Sequence, residues 1–141
     1  MARVVVDANV LISARLSRDQ NHERGAAIAR GIDQGDLPTA LLLSDVMEEV
    51  LNYLQARANH ATAVETLDAL IESSGYQVTG VPKSDFVTGR SLFRRYAGLS
   101  LTDAIIVAAM HRTDTEYLYS FDDDFDGIPG ITRLSTADNP F

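Results

Sequence analysis

Apolar residues follow two alternating patterns along this chain. Short runs of aliphatic and β-branched residues predict buried strands, because a strand covered on both faces is apolar along its whole length. Longer segments with apolar residues every three or four positions predict amphipathic helices. The predicted strands cover residues 2–6, 40–43, 76–79, 116–120 and 131–134. The first predicted helix starts near Val10, and the other five cover about residues 21–34, 45–58, 61–73, 84–96 and 101–112.

Strands and helices therefore alternate from one end of the chain to the other. Parallel strands joined through helices form right-handed crossovers, and helices then cover both faces of the sheet. The chain contains no internal repeat, linker or low-complexity segment. We predict an α/β protein with a three-layer α/β/α architecture, a central, mostly parallel sheet of four to five strands, and a single domain over residues 1–141.

The composition is typical of a globular domain, with 45% hydrophobic and 23% charged residues among 141. The lack of cysteine excludes disulfides, a thiol nucleophile and a cysteine-based zinc site. The longest apolar run, residues 104–110, is far shorter than the roughly 20 residues of a membrane helix, and the N-terminus lacks a signal-peptide pattern. We therefore expect a cytoplasmic protein with no membrane association.

The net charge restricts the possible ligands. Twenty acidic and twelve basic residues give a formal net charge of −8, and Lys83 is the single lysine. Proteins that bind duplex DNA through a charged face usually carry a basic surplus, because neutralisation of phosphates drives their affinity. The acidic balance fits better with an enzyme that meets phosphates through a bound metal ion.

Carboxylates occur at four places where a predicted strand ends or a predicted helix begins. Asp7 directly follows the first strand, and Asp103 opens the apolar helix over residues 101–112. Glu48 and Glu49 lie one turn into the helix after the second strand. The fourth source is the acidic run after the fourth strand, with Asp122, Asp123, Asp124 and Asp126. Ligands of parallel α/β sheets bind beyond the carboxyl ends of the strands, so these acids are expected to converge there.

Each acid also has a purely structural interpretation. Asp7 or Asn9 can cap the first helix, and Asp103 stands in a capping-box pattern that begins at Ser100. The acidic run by itself is typical of a solvated loop with Asx turns.

The choice between Glu48 and Glu49 depends on the geometry of their helix. The two glutamates flank its apolar face almost symmetrically, and Tyr53, one turn after Glu49, widens that face towards Glu49. The pattern favours Glu49, although a solvated position remains an interpretation for both.

The combination of acids points to a metal ion. Two carboxylates about 4 Å apart repel each other by roughly 4 kcal/mol at an effective dielectric constant near 20. A divalent cation removes this penalty, and ligands that are all oxygen favour Mg²⁺ or Mn²⁺. Such an ion can activate water and stabilise charge on a phosphate. The histidines at 22, 60 and 111 lie in polar or helix-end positions and are not expected in the site.

Four segments resemble the motifs of PIN domains, and they occur in the same order. VVVDANVLI resembles the first motif and contains Asp7, while SDVMEEVLNYL resembles the second and places Glu49 in its acidic position. LSLTDAIIVAAM is similar to the third, with Asp103 at the start of a buried helix. YLYSFDDDFD is similar to the fourth, in which a strand ends in Ser or Thr and an Asp follows, here Ser120 and Asp122. The resemblance covers residues 3–134.

The resemblance implies a Mg²⁺- or Mn²⁺-dependent endoribonuclease of the kind found among VapC-like toxins of toxin–antitoxin pairs. It further implies an RNA substrate, a small antitoxin protein as partner, and a homodimer. The implied site residues are the catalytic, metal-binding carboxylates Asp7, Glu49, Asp103 and Asp122, the further metal ligand Asp124, and the supporting residues Asn9 and Ser120. Arg90, Arg94 and Arg95 are candidate phosphate contacts, or simply a solvated helix face.

Two alternatives remain open. The segment from Asp122 to Gly127 fits the first half of a calcium-binding EF-hand loop, but the twelfth position is Arg133 where a glutamate is needed, and no helix is predicted to follow. The second alternative is a PIN scaffold that binds RNA or protein without catalysis.

Overall fold

The computed structural model describes residues 2–141 and shows five parallel strands in the order β3-β2-β1-β4-β5. The strands are β1 (Arg3–Val6), β2 (Thr39–Leu43), β3 (Tyr76–Thr79), β4 (Tyr117–Tyr119) and β5 (Thr132–Leu134). The helices are α1 (Ala8–Arg15), α2 (His22–Gln34), α3 (Ser44–Arg57), α4 (His60–Glu72), α5 (Lys83–Arg95) and α6 (Leu101–Arg112), with a 3-10 turn over Asp123–Phe125. The predicted α/β class with a parallel sheet is confirmed.

The layers follow from the handedness of the connections. From β1 through β3 the chain moves steadily towards one edge of the sheet, and it then crosses back to place β4 on the other side of β1. Right-handed crossovers therefore put α1 to α4 on one face and α5 and α6 on the opposite face. The packing agrees, since α1 contacts α2 and α3, α3 contacts α4, and α5 contacts α6.

The core lies between these layers. The side chains of Val4, Val5 and Val6 are at most 1% exposed, and every residue of α6 from Ala104 to Met110 is buried, as its apolar pattern predicts. Within residues 2–141, none of the helices combines the length and apolar character that a membrane crossing requires.

The order of strands reverses between β1 and β4, and this reversal positions the candidate site. In open parallel sheets, the crevice at such a reversal lies outside the carboxyl ends of the two strands. Asp7 follows β1 and Ser120 follows β4, and the Asp7 N–H donates to the Tyr119 carbonyl at 2.9 Å. The two strand ends are therefore held side by side.

Candidate active site

Asp7 is the most buried carboxylate of this crevice, with 6% of its surface exposed. It is the N-cap of α1, and its Oδ1 accepts a hydrogen bond of 2.8 Å from the Ala8 N–H. Its Oδ2 accepts a hydrogen bond of 2.7 Å from the Ser120 hydroxyl. Burial raises the pKa of Asp7 from 3.8 to about 6, even though both hydrogen bonds act to lower it, and the negative charges of Glu49 and Asp122 raise it further. Helix α1 starts two residues before the predicted position because Asp7, and not Asn9, caps it.

Ser120 connects the β1 and β4 ends of the site. Its hydroxyl oxygen accepts from the Asp122 N–H at 3.0 Å and from the Asn9 side-chain amide at 3.5 Å, while its proton goes to Asp7. The Asn9 side-chain oxygen in turn accepts from the Phe121 N–H at 3.2 Å. These bonds tie the loop after β4 to the first turn of α1, and the supporting role of Asn9 and Ser120 stays a prediction.

Asp103 enters from the opposite face of the sheet, at the start of α6. Ser100 is the N-cap, since its hydroxyl accepts from the Asp103 N–H at 3.1 Å. The Asp103 carboxylate therefore remains available to the crevice. Burial, followed by the charges of Asp7 and Asp122, raises the pKa of Asp103 to about 7, and hydrogen bonding between its side chain and that of Ser100 opposes this rise. Partial burial of several like charges is the common cause at both aspartates.

The four predicted carboxylates open onto one cleft of about 330 Å³. The cleft is lined by Asp7, Asn9, Glu49, Gly98, Ser100, Asp103, Asp122 and Asp124. Glu49 comes from α3, and its negative charge contributes to the raised pKa of both Asp7 and Asp103. Both Glu48 and Glu49 are exposed, but Glu48 does not line the cleft. A larger groove of about 460 Å³ lies between α1, α2 and α4, but Asp33 is its one carboxylate. The chemistry of the acids therefore points to the smaller cleft.

The acidic loop divides its side chains between the cleft and the solvent. Asp122 caps the 3-10 turn by accepting from the Asp124 N–H at 2.9 Å, and its negative charge is the largest cause of the raised pKa of Asp124. Oxygens of Asp122, Asp123 and Asp124 lie within 4.8 Å of one another. Phe125 is fully buried and anchors the loop in the core.

Asp126 points away from this cluster. It forms a two-bond ion pair with Arg133 at 2.9 and 3.0 Å, which lowers its pKa. Arg133 also donates to the Ser120 carbonyl at 3.3 Å. An EF-hand loop needs a glutamate at this twelfth position and the fifth-position acid free for calcium. Here the two positions bind each other, so the calcium alternative does not fit.

The predicted arginines lie outside the cleft. Arg90, Arg94 and Arg95 are exposed on α5, and none of them lines the cleft. Arg90 stands over Phe86 and Arg95 over Tyr96, so their role as phosphate contacts stays a prediction.

The sequence pattern did not indicate that two residues of this region, Gly98 and Arg133, contribute to the site. Gly98 lines the cleft after α5, and Arg133 secures the acidic loop from β5. No local pattern indicates either one, because each contributes only through a partner distant in the chain.

The donor set fits a hard divalent cation. All of the carboxylate, amide and hydroxyl groups in the cleft can offer oxygen, and the described part of the chain brings no histidine or lysine into its lining. Burial and neighbouring negative charges raise the pKa of Asp7 and of Asp103, and a cation in the cleft would favour their charged forms.

Known proteins resemble this chain in sequence and in fold. A model of the PIN domain matches residues 4–131. Ribonuclease VapC13 of Mycobacterium tuberculosis is 32% identical over 92 residues, which is 65% of this chain and 70% of that protein. The crystal structure of VapC20 of the same species, described as a sarcin–ricin loop cleaving toxin, has a TM-score of 0.76 at 20% identity and covers 91% of this chain and 98% of its own. A toxin–antitoxin complex from Klebsiella pneumoniae has a TM-score of 0.64 at 20% identity, with coverages of 92% and 95%.

At 20% identity the two solved structures show a shared fold. The family itself follows from the matched model and the curated relative, and it is the family that the sequence motifs predicted. This chain belongs to the PIN-domain family.

Proposed function

We propose that this protein is a metal-dependent endoribonuclease that hydrolyses RNA phosphodiester bonds as the toxin of a type II toxin–antitoxin pair. The observation that carries the proposal is the convergence of Asp7, Glu49, Asp103 and Asp122, from four separate elements, on one cleft at the strand reversal. Membership of the PIN-domain family and relatives named VapC ribonucleases support the ribonuclease activity.

The chain's own residues have distinct parts in this proposal. Asp7 and Asp103 would hold a Mg²⁺ or Mn²⁺ ion, with Glu49, Asp122 and Asp124 beside them. Once bound, the ion supplies charge that stabilises the phosphate during attack by water on phosphorus. Ser120 and the Ala8 N–H keep the Asp7 carboxylate in a single orientation. Asn9 and the Phe121 N–H keep the acidic loop at the mouth of the cleft.

The partners follow from the same assignment. A small antitoxin protein as partner is supported by solved structures of similar fold that are a toxin and a toxin–antitoxin complex. We also propose that the protein works as a homodimer in the cytoplasm and that residues 1–141 form a single PIN domain. One hydrophobic cluster that contacts the strands and helices of the sheet supports the single domain.

Cleavage of RNA by the purified protein tests the proposal. We expect structured RNAs to be cut with Mn²⁺ and left intact with EDTA, and Asp7→Asn and Asp103→Asn to lose both cleavage and Mn²⁺ affinity measured by calorimetry. Glu49→Gln should reduce cleavage, whereas Glu48→Gln removes the same charge one residue away and should not. Unchanged Mn²⁺ affinity in both aspartate variants would overturn the metal site. Binding of RNA without any cleavage would favour the silent PIN scaffold instead.

A further inference from the structure

Phe121 occupies a special position beside the acidic cleft. It lies between Ser120, which binds Asp7, and Asp122, which lines the cleft. Its N–H donates to the side chain of Asn9 at 3.2 Å, so its backbone is fixed relative to the site. The ring is half-buried and packs against the core. An aromatic side chain that is not itself part of the cleft lining is therefore held one residue along the chain from a proposed catalytic carboxylate.

Arg24 covers this ring from the neighbouring helix. It lies in the first turn of α2, and its guanidinium carbon is 4.9 Å from the centroid of the Phe121 ring. Its side chain also donates to the side-chain oxygen of Asn21, the N-cap of α2. Arg24 is exposed. Two contacts from different elements thus hold the guanidinium over the ring at the same edge of the sheet as the cleft.

Among the described residues, Arg24 forms no ion pair with an acidic side chain. In the part of the chain that the structure describes, the ion pairs are Arg112 with Asp85 and Arg133 with Asp126. Three other arginines stand over aromatic rings, namely Arg57 over Tyr53, Arg90 over Phe86 and Arg95 over Tyr96. Only the ring of Phe121 belongs to the loop that carries Asp122 and Asp124 into the cleft. Arg24 therefore places a cation against the residue that lies between Ser120 and Asp122, in a chain whose net charge is −8.

We propose that Arg24 and Phe121 form a nucleotide-binding platform that holds an unpaired nucleotide of single-stranded RNA next to the bond to be cut. The inference rests on the proposed ribonuclease function and names a binding subsite for its substrate. Unpaired RNA bases stack on arginine guanidinium planes as well as on aromatic rings, and an arginine donates at the same time to the phosphate. Because the Phe121 ring packs against the core and Arg24 lies over it, the base would stack on the guanidinium that the ring supports. A stacked base would leave its backbone directed at the adjacent carboxylates, so the platform sets which nucleotide reaches them. RNA in a continuous duplex cannot offer such a base.

The platform is tested by equilibrium binding of a labelled, single-stranded RNA of mixed sequence. The RNA has about 12 nucleotides, which is within the range of lengths that such surfaces cover. Binding is measured by fluorescence anisotropy in EDTA at low salt, where no cleavage takes place. We expect Arg24→Gln and Phe121→Leu each to weaken binding at least about fivefold, as expected for one stacked base. Arg30→Gln removes the same charge from the exposed side of the same helix and should change binding less than about twofold. Phe121→Tyr keeps an aromatic ring and should bind like the wild type.

A second readout separates stacking from simple charge. The same RNA with 2-aminopurine at successive positions should show quenching at one position in the wild type and in Phe121→Tyr, and this quenching should be lost in Phe121→Leu. With Mn²⁺, Arg24→Gln should raise KM with little change in kcat, because it removes uniform binding of the substrate. Circular dichroism of each variant shows that a loss of binding is not a loss of folding.

The possible results are distinguishable. Equal effects of Arg24→Gln and Arg30→Gln, or equal binding by Phe121→Leu and Phe121→Tyr, would overturn the platform and leave the ribonuclease intact. If the wild type binds the single strand but cuts no RNA with Mn²⁺, the ribonuclease fails, and the binding comparison still decides the platform. If the wild type binds no single-stranded RNA, the platform is wrong.

Discussion

Replacement of Asp7 by asparagine should stabilise the metal-free protein at pH 8 while it abolishes metal-dependent activity. The carboxylate is 6% exposed, and burial raises its pKa from 3.8 to about 6. Each pKa unit corresponds to 1.36 kcal/mol, so ionised Asp7 costs the fold about 3 kcal/mol above pH 7. Asparagine carries no charge, is equally favoured at a helix N-cap, and can still accept from the Ala8 N–H.

The gain is reduced by one hydrogen-bond conflict. The Ser120 hydroxyl now donates to Asp7 and accepts from the Asp122 N–H and from the Asn9 amide. An asparagine at position 7 can turn a side-chain N–H towards the Ser120 hydroxyl oxygen, which would then face three donors. This conflict lowers the stability of the fold by about 1 kcal/mol. The net stabilisation is therefore about 2 kcal/mol, or a rise in Tm of about 4–8 °C for a domain of this size.

The dependence on pH has a definite sign. Because the pKa of Asp7 is higher in the folded state, the folded chain binds more protons between pH 4 and pH 6, and its stability falls as pH rises through this window. Asp7 alone should make the metal-free wild type about 1.4 kcal/mol less stable at pH 8 than at pH 5. Asp103 acts in the same direction, with a pKa raised to about 7. In the Asp7→Asn variant, the part of the pH dependence of stability that comes from Asp7 should be absent.

Urea unfolding in EDTA at pH 5 and pH 8, repeated with Mn²⁺, measures these differences. Saturating Mn²⁺, at about 100 times its Kd, should stabilise the wild type by about 2.7 kcal/mol and the variant hardly at all. A variant that is less stable than the wild type at pH 8 in EDTA would refute the reasoning, because burial of the charge would then cost less than the lost hydrogen bond.

Three further predictions concern the loop, the reaction and the α5–α6 contact. Asp122→Asn should lower Mn²⁺-dependent cleavage at least about tenfold, which corresponds to about 1.4 kcal/mol of activation barrier. Asp126→Asn should change cleavage little, and Asp124→Asn should have an intermediate effect. Equal losses of cleavage in the Asp122 and Asp126 variants would contradict the assignment. End-group analysis should find 5′-phosphate and 3′-hydroxyl products, and a 2′,3′-cyclic phosphate would reject attack by water. Arg112→Met should destabilise the fold by about 3 kcal/mol in urea unfolding, because it leaves the Asp85 carboxylate charged and without a partner. The Asp85 side chain is only 3% exposed. The additional change Asp85→Leu should recover most of the lost stability.

Local sequence was sufficient for the secondary structure of this protein. Strand β3 occupies the predicted residues, and the other strands differ by one or two residues at their ends. This accuracy has a physical reason, since the periodicity of apolar residues and the identity of a cap act within about ten residues. Even so, both Asp7 and Asn9 were acceptable caps for α1, and only the folded chain shows that Asp7 fills this position while Asn9 binds the loop after β4.

The composition of the site was decided by tertiary structure. The sequence alone limited the carboxylates to a few positions and, with the family motifs, favoured Asp7, Glu49, Asp103 and Asp122. It could not show that Glu49 lines the cleft while Glu48 does not, because the two flank the apolar face of α3 almost equally. The raised pKa of Asp7 and the pairing of Asp126 with Arg133 also lie beyond local pattern. Burial and electrostatic interaction are sums over neighbours in space, and at this cleft those neighbours come from β1, α3, α6 and the loop after β4, which only the fold brings together.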